Sequence, residues 1–97
     1  MNKTILYRGV NFVWDTEKAR TNEQKHNITF EQAMDVFFDP FLRVTDATSS
    51  DECRDAVIGF DAKARLLFVV HIEQAENQIR IISARQASSK EEEIYAN

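Results

Sequence analysis

Residues 5–14, ILYRGVNFVW, open the readable part of the chain with β-branched and aromatic side chains broken by Gly9. That pattern predicts a strand or a bent hairpin. The chain then turns polar. Asp15 stands where a helix N-cap belongs, and Glu17 sits in the first turn, where a carboxylate meets the positive end of the helix dipole. A polar helix is expected over Thr16–His26, ended by Asn27 in the left-handed conformation. Thr29 followed three residues on by Gln32 is a capping box, with Ile28 as the preceding hydrophobic staple. Phe30, Ala33, Met34 and Phe37 recur at the helical period and form one apolar face, and Asp39-Pro40 stops the helix.

Residues 41–53 show no period, and TDATSSDEC reads as an exposed loop. DAVIGF, RLLFVVHI and QIRIISA then read as three strands, joined by links short enough for hairpins. An antiparallel meander over residues 54–84 follows, with RLLFVV as a central strand covered on both faces. Ser88 with Glu91, and Ser89 with Glu92, each fit a capping box for a last helix that carries Ile94 and Tyr95. The order predicts an α+β fold: an antiparallel sheet of that meander plus an N-terminal strand, packed by two N-terminal helices and one C-terminal helix.

Composition narrows the function classes. A chain of 97 residues fits one domain, residues 1–97. Its 43% hydrophobic content argues against disorder. The net charge of −4 speaks against a broadly basic nucleic-acid binder, although Lys18, Arg20 and Lys25 share one segment and Arg80 and Arg85 another. The single Cys53 cannot form an intrachain disulfide, which fits a reducing cytoplasm. No apolar run approaches the roughly 20 residues of a membrane span, and no signal-peptide pattern opens the chain. A cytoplasmic protein without membrane contact is expected.

His26 and His71 lie far apart without a ligand partner at metal spacing, and no glycine-rich phosphate loop or GxSxG elbow is present. No metal and no cofactor is therefore expected. Cys53 lacks the helix or base context that activates a thiol, and His71, ending an apolar strand, reads as a hydrogen-bonded structural histidine. Lys25-His26 carries two readings. A histidine moves its proton near neutral pH, and a neighbouring ammonium favours its basic form; alternatively, the pair simply complements the negative end of the helix dipole. Arg80 alternates with Ile79 and Ile81 and so faces away from them, while Arg85 lies where strand gives way to helix. The two arginines suit either phosphate held by forked hydrogen bonds or pairing with the acidic last helix. Tyr7, Phe12, Trp14, Phe37, Phe38, Phe41 and Phe60 exceed what a thin core needs. They suit an interface, unless the adjoining loop folds over them.

The segments FVWDTEKARTNEQKHNITFEQAMDVFFDP, VIGF, LLFVVH and IRIISARQAS, with a downstream Glu and Tyr95, together resemble the BrnT-type toxins of bacterial toxin–antitoxin pairs. The resemblance spans roughly residues 12–95. It implies a RelE-like ribonuclease fold that cleaves RNA without metal. It also implies a cognate ribbon-helix-helix antitoxin, in a homodimer or a toxin–antitoxin heterotetramer. Matching motif positions assign Lys25, His26, Arg80, Arg85, Glu91 and Tyr95 to the site, with His26 as general acid or base and the three cations on phosphate. Two departures stand out. Asn27 replaces the family's usual glycine, and Ser89 and Glu92 stand where members commonly carry basic residues, which removes charge beside the RNA face. The acidic balance and the EEE run at 91–93 favour the alternative, a non-catalytic toxin-fold module that binds its antitoxin and tunes operon repression.

Overall fold

A hairpin, one of the two readings of residues 5–14, begins the chain in the computed structural model, which describes residues 1–48 and 52–97. β1 (Asn2–Tyr7) and β2 (Val10–Asp15) pair antiparallel across Arg8 and Gly9, whose φ angles of 51° and 81° are the positive values a tight two-residue hairpin turn requires. α1 (Thr16–His26) starts at Asp15, whose carboxylate accepts from the Lys18 N–H. It ends at Asn27, left-handed at φ 58°. α2 (Phe30–Met34) carries the expected Thr29–Gln32 capping box but lasts five residues. A 3₁₀ turn over Asp35–Phe38 follows, and Asp39 is extended ahead of Pro40. β3 (Arg43–Asp46) occupies part of the expected loop; Ser49–Asp51 of that loop lie outside the described residues. β4 (Asp55–Phe60), β5 (Leu66–Glu73) and β6 (Gln78–Gln86) form the expected antiparallel meander, and α3 (Ser89–Ala96) starts with the Ser88–Glu91 capping box.

The sheet order is β1-β2-β6-β5-β4-β3, and one joint departs from the all-antiparallel expectation. Asn11–Val13 of β2 run parallel to Gln78–Arg80 of β6. Everything between those strands acts as a crossover, which parallel neighbours require. Residue periodicity reports faces and not directions, so it cannot reveal this pairing.

One face of the sheet is the core. Phe12, Trp14, Val57, Leu67, Val69, Ile81 and Ala84 pack there against Ile28, Phe30, Ala33, Met34 and Val36. The other, outer face is covered less fully. β5 therefore buries Leu67, Val69 and His71 but leaves Phe68, Val70 and Ile72 half exposed, correcting the expectation of a strand covered on both sides. The surplus of aromatics is also smaller than expected. Phe12 and Trp14 are fully buried, and Tyr7, Phe37 and Phe38 pack against the core. Phe41, 74% exposed, and Phe60, 43% exposed, remain outside.

Two local features of β6 shape everything that follows. The ladder slips between Val70 and His71, so Val70 faces Ser83 while His71 faces Ile81, and Ile82 becomes a bulge. Beyond Arg80, β6 has no strand partner on its β2 side among the described residues, and α1 lies along that edge. Among the described residues, no helix is long and apolar enough to cross a membrane.

Candidate active site

The bulge decides which side chains share a face. Without it, Arg80 and Arg85, five residues apart, would point to opposite faces of a period-2 strand. With Ile82 inserted, Arg80 pairs opposite Ile72 and Arg85 opposite Phe68, and both lie on the outer face. Along the strand they are separated by about 15 Å, at roughly 3.3 Å per residue. That spacing suits contacts to different phosphates of one strand. Of the two roles open to the arginines in the sequence, pairing with the acidic last helix is the one Arg85 adopts.

Between α1 and β6 lies an open cleft of 340 Å³, lined on one side by Glu17, Lys18, Thr21, Asn22, Lys25 and His26 and on the other by Ile82 and Ser83. Ser83 belongs to the outer face, so Lys25 and His26 adjoin the surface that carries both arginines. The corner they occupy is braced. Arg65, ion-paired at 2.7 Å to the buried Asp61 carboxylate, also donates to the Asn27 carbonyl at 3.4 Å. Among the described residues, the side chains of Lys25, His26 and Arg80 form no hydrogen bond or ion pair with the rest of the chain.

Arg85 is held. Its two terminal nitrogens each donate at 2.8 Å to the two oxygens of Glu91, a forked pair, and its guanidinium lies 4.4 Å over the Phe68 ring. The Arg85 hydrogen bonds hold Glu91 below the usual carboxylate range, and Glu91 in turn raises Arg85. Glu91 is therefore an anion and an acceptor here. It also closes the α3 cap by accepting the Ser88 N–H at 2.8 Å.

Tyr95 stands apart from this group. Its hydroxyl donates to Asp39 at 2.7 Å, and its ring meets Phe60 of β4 edge to face. β4 lies two strands from β6, about 10 Å at ordinary strand spacing. Burial first, and then the Asp39 hydrogen bond, push Tyr95 up to about 12. Burial alone would push Asp39 up too, but the Phe60 and Phe41 N–H groups and the Tyr95 hydroxyl outweigh it and hold the carboxyl low. The structure thus brings Lys25, His26, Arg80, Arg85 and Glu91 to one side and ties Tyr95 to the β4 margin.

Two contributors escaped the sequence reading. Phe68 supplies the shelf under Arg85, a role visible only once register is known. Asn22, 6% exposed on an otherwise polar helix, bonds to the β6 edge. Its signals in the sequence were its place in the WD…K…N…KH pattern that carries the family resemblance and its position one helical turn before His26. His71 is structural as expected: 3% exposed, edge-on to Phe37, and pushed down by burial.

A family model described as "Ribonuclease toxin, BrnT, of type II toxin-antitoxin system" matches residues 14–91. The chain belongs to this BrnT family. The matched segment holds Lys25, His26, Arg80, Arg85 and Glu91, and stops short of Tyr95. Among solved structures, the chain is similar to the crystal structure of the Brucella abortus ribonuclease toxin BrnT, with a TM-score of 0.60 and 23% identity over 78% of this chain and 94% of that one. At that identity the likeness speaks for a common BrnT fold. Among curated proteins none matches.

Proposed function

We propose that this BrnT-family chain is a metal-independent endoribonuclease of RelE-like design, a single domain over residues 1–97 that acts in the cytoplasm and is neutralised by a ribbon-helix-helix antitoxin. The observation that carries this reading is the β6 bulge, which sets Arg80 and Arg85 on one face beside the Lys25–His26 cleft. Cleavage of RNA by its own 2′-hydroxyl needs that hydroxyl deprotonated, the extra charge on phosphorus stabilised and the departing 5′-oxygen protonated. His26 is the group suited to move those protons, because an imidazole works as acid or base near neutral pH. Lys25 and Arg80 contribute positive charge at the phosphate, and Arg85 does so once Glu91 yields it. Tyr95, donating to Asp39 and raised to about 12, serves α3 rather than the proton path.

A second reading rests on a specific observation. Arg85 and Tyr95 both spend their polar atoms inside the chain, on Glu91 and Asp39. A toxin-fold module that only binds its antitoxin and tunes operator binding needs nothing more. Expression in a bacterial host separates the two readings. The ribonuclease reading expects arrested growth and RNA cleavage by purified protein, both abolished in folded His26→Ala and Arg80→Ala variants. Unimpeded growth with intact RNA leaves the binding module.

A further inference from the structure

Asn22 is the buried polar side chain of α1, and its amide makes three hydrogen bonds to the protein. Its Nδ2 donates to the Ala84 carbonyl at 2.8 Å and to the Ile28 carbonyl at 3.1 Å. Its Oδ1 accepts the Ala84 N–H at 3.0 Å. Exchanging an acceptor and a donor with one strand residue is what a neighbouring strand does in a ladder. Here β2 has already left β6 at Arg80, and one primary amide satisfies the open edge at Ala84.

The place of this contact matters more than its strength. Ala84 lies between Ser83, which lines the cleft, and Arg85. Asn22 lies one turn, about 6 Å along the axis, before His26 on the same helix. Its third bond, to Ile28, reaches the segment immediately after the Lys25–His26 corner. A shift of α1 by one residue along β6 would break all the bonds to Ala84 at once.

We propose that Asn22 is a positioning residue of the ribonuclease site: it fixes the Lys25–His26 corner against Ser83–Arg85, so that one RNA backbone is engaged from both sides of the cleft. This rests on the ribonuclease reading above. The role differs from simple edge satisfaction, because it places Asn22, which also lines the cleft, in the rate of the chemical step through the placement of Lys25 and His26. A misplacement of about 1 Å can cost on the order of a hundredfold in rate.

The test uses the full-length chain and a short single-stranded oligoribonucleotide. Asn22→Asp keeps the shape and one acceptor but loses both donated bonds, and Asn22→Ala loses all three. Both variants are expected to unfold cooperatively and to exchange the Ala84 amide faster than the parent. Their kcat should fall on the order of a hundredfold, with KM changed by less than about threefold, because RNA contacts stay in place. If neither folds, Asn22→Ser, which retains one donor, is held to the same criteria. A folded variant that cleaves at the parent rate overturns the positioning role alone, as does one that raises KM without lowering kcat. A parent chain that leaves RNA intact overturns the ribonuclease reading and this role with it.

Discussion

Glu91 carries two burdens that pull on one carboxylate: it forks onto Arg85 and closes the Ser88 cap. Its geometry on Arg85 is the geometry a phosphate would adopt, so any RNA that uses Arg85 must displace it. Glu91→Gln is expected to tighten binding of a single-stranded oligoribonucleotide several-fold and to steepen the salt dependence by about 0.7 in log–log slope for the charge gained. Binding measured across a salt series checks this, and weaker binding would make Glu91 the holder of Arg85 in its working pose. His71 gives a prediction on stability. Burial lowers its proton affinity below the usual 6.5, so the unfolded chain binds the proton more readily than the folded one. Stability is then complete above pH 6.5 and declines as the pH falls through the ring's lowered value. Denaturant titrations should show this loss setting in as the pH falls below 6.5, before the carboxylates titrate. His71→Leu should flatten it.

At the scale of elements, local signals were legible and pairings were not. Asp15, Asn27, Thr29–Gln32 and Ser88–Glu91 announce their helix ends, because a cap is a relation between residues three or four apart. β3 went unread because RVTD sits among polar residues and buries almost nothing of its own. The parallel joint and the bulge were invisible because strand direction and register are set by distant segments. Lys25, Arg80 and Arg85 were legible as candidate cations, yet the grouping of the two arginines on one face depends on Ile82, which reads in sequence as one more apolar strand residue. This yields a direct expectation. Deleting Ile82 restores strict alternation and forces Arg80 or Arg85 toward the core, where an unpaired guanidinium costs several kcal/mol. Ile82→Ala keeps both arginines outside and should cost only about 1 kcal/mol. Thermal unfolding of the two variants should differ accordingly.

Across the whole molecule, an acidic chain presents a local cationic surface, and its charge balance of −4 says little about that face. Phe41, 74% exposed near the open β3 edge, is the strongest remaining candidate for a partner contact. Phe41→Asp is expected to leave folding stability within about 0.5 kcal/mol and to weaken antitoxin binding or self-association at least about tenfold, near 1.4 kcal/mol. Calorimetry with the co-encoded antitoxin and sedimentation of the chain alone check it. Unchanged binding would move the contact to the opposite edge, where Leu6 of β1 is also exposed. The parallel joint has a consequence in time. Among the described strands β6 comes last in chain order, yet it sits between β2 and β5 and carries both arginines. Until the ribosome has released it, the hairpin at the start of the chain and the β4–β5 pair have no common sheet. Closing that long loop belongs to the slow class of non-local folding events. A nascent chain interrupted before Gln78 therefore lacks the sheet's centre and both arginines, so the candidate site can assemble only after residues 78–86 have been made.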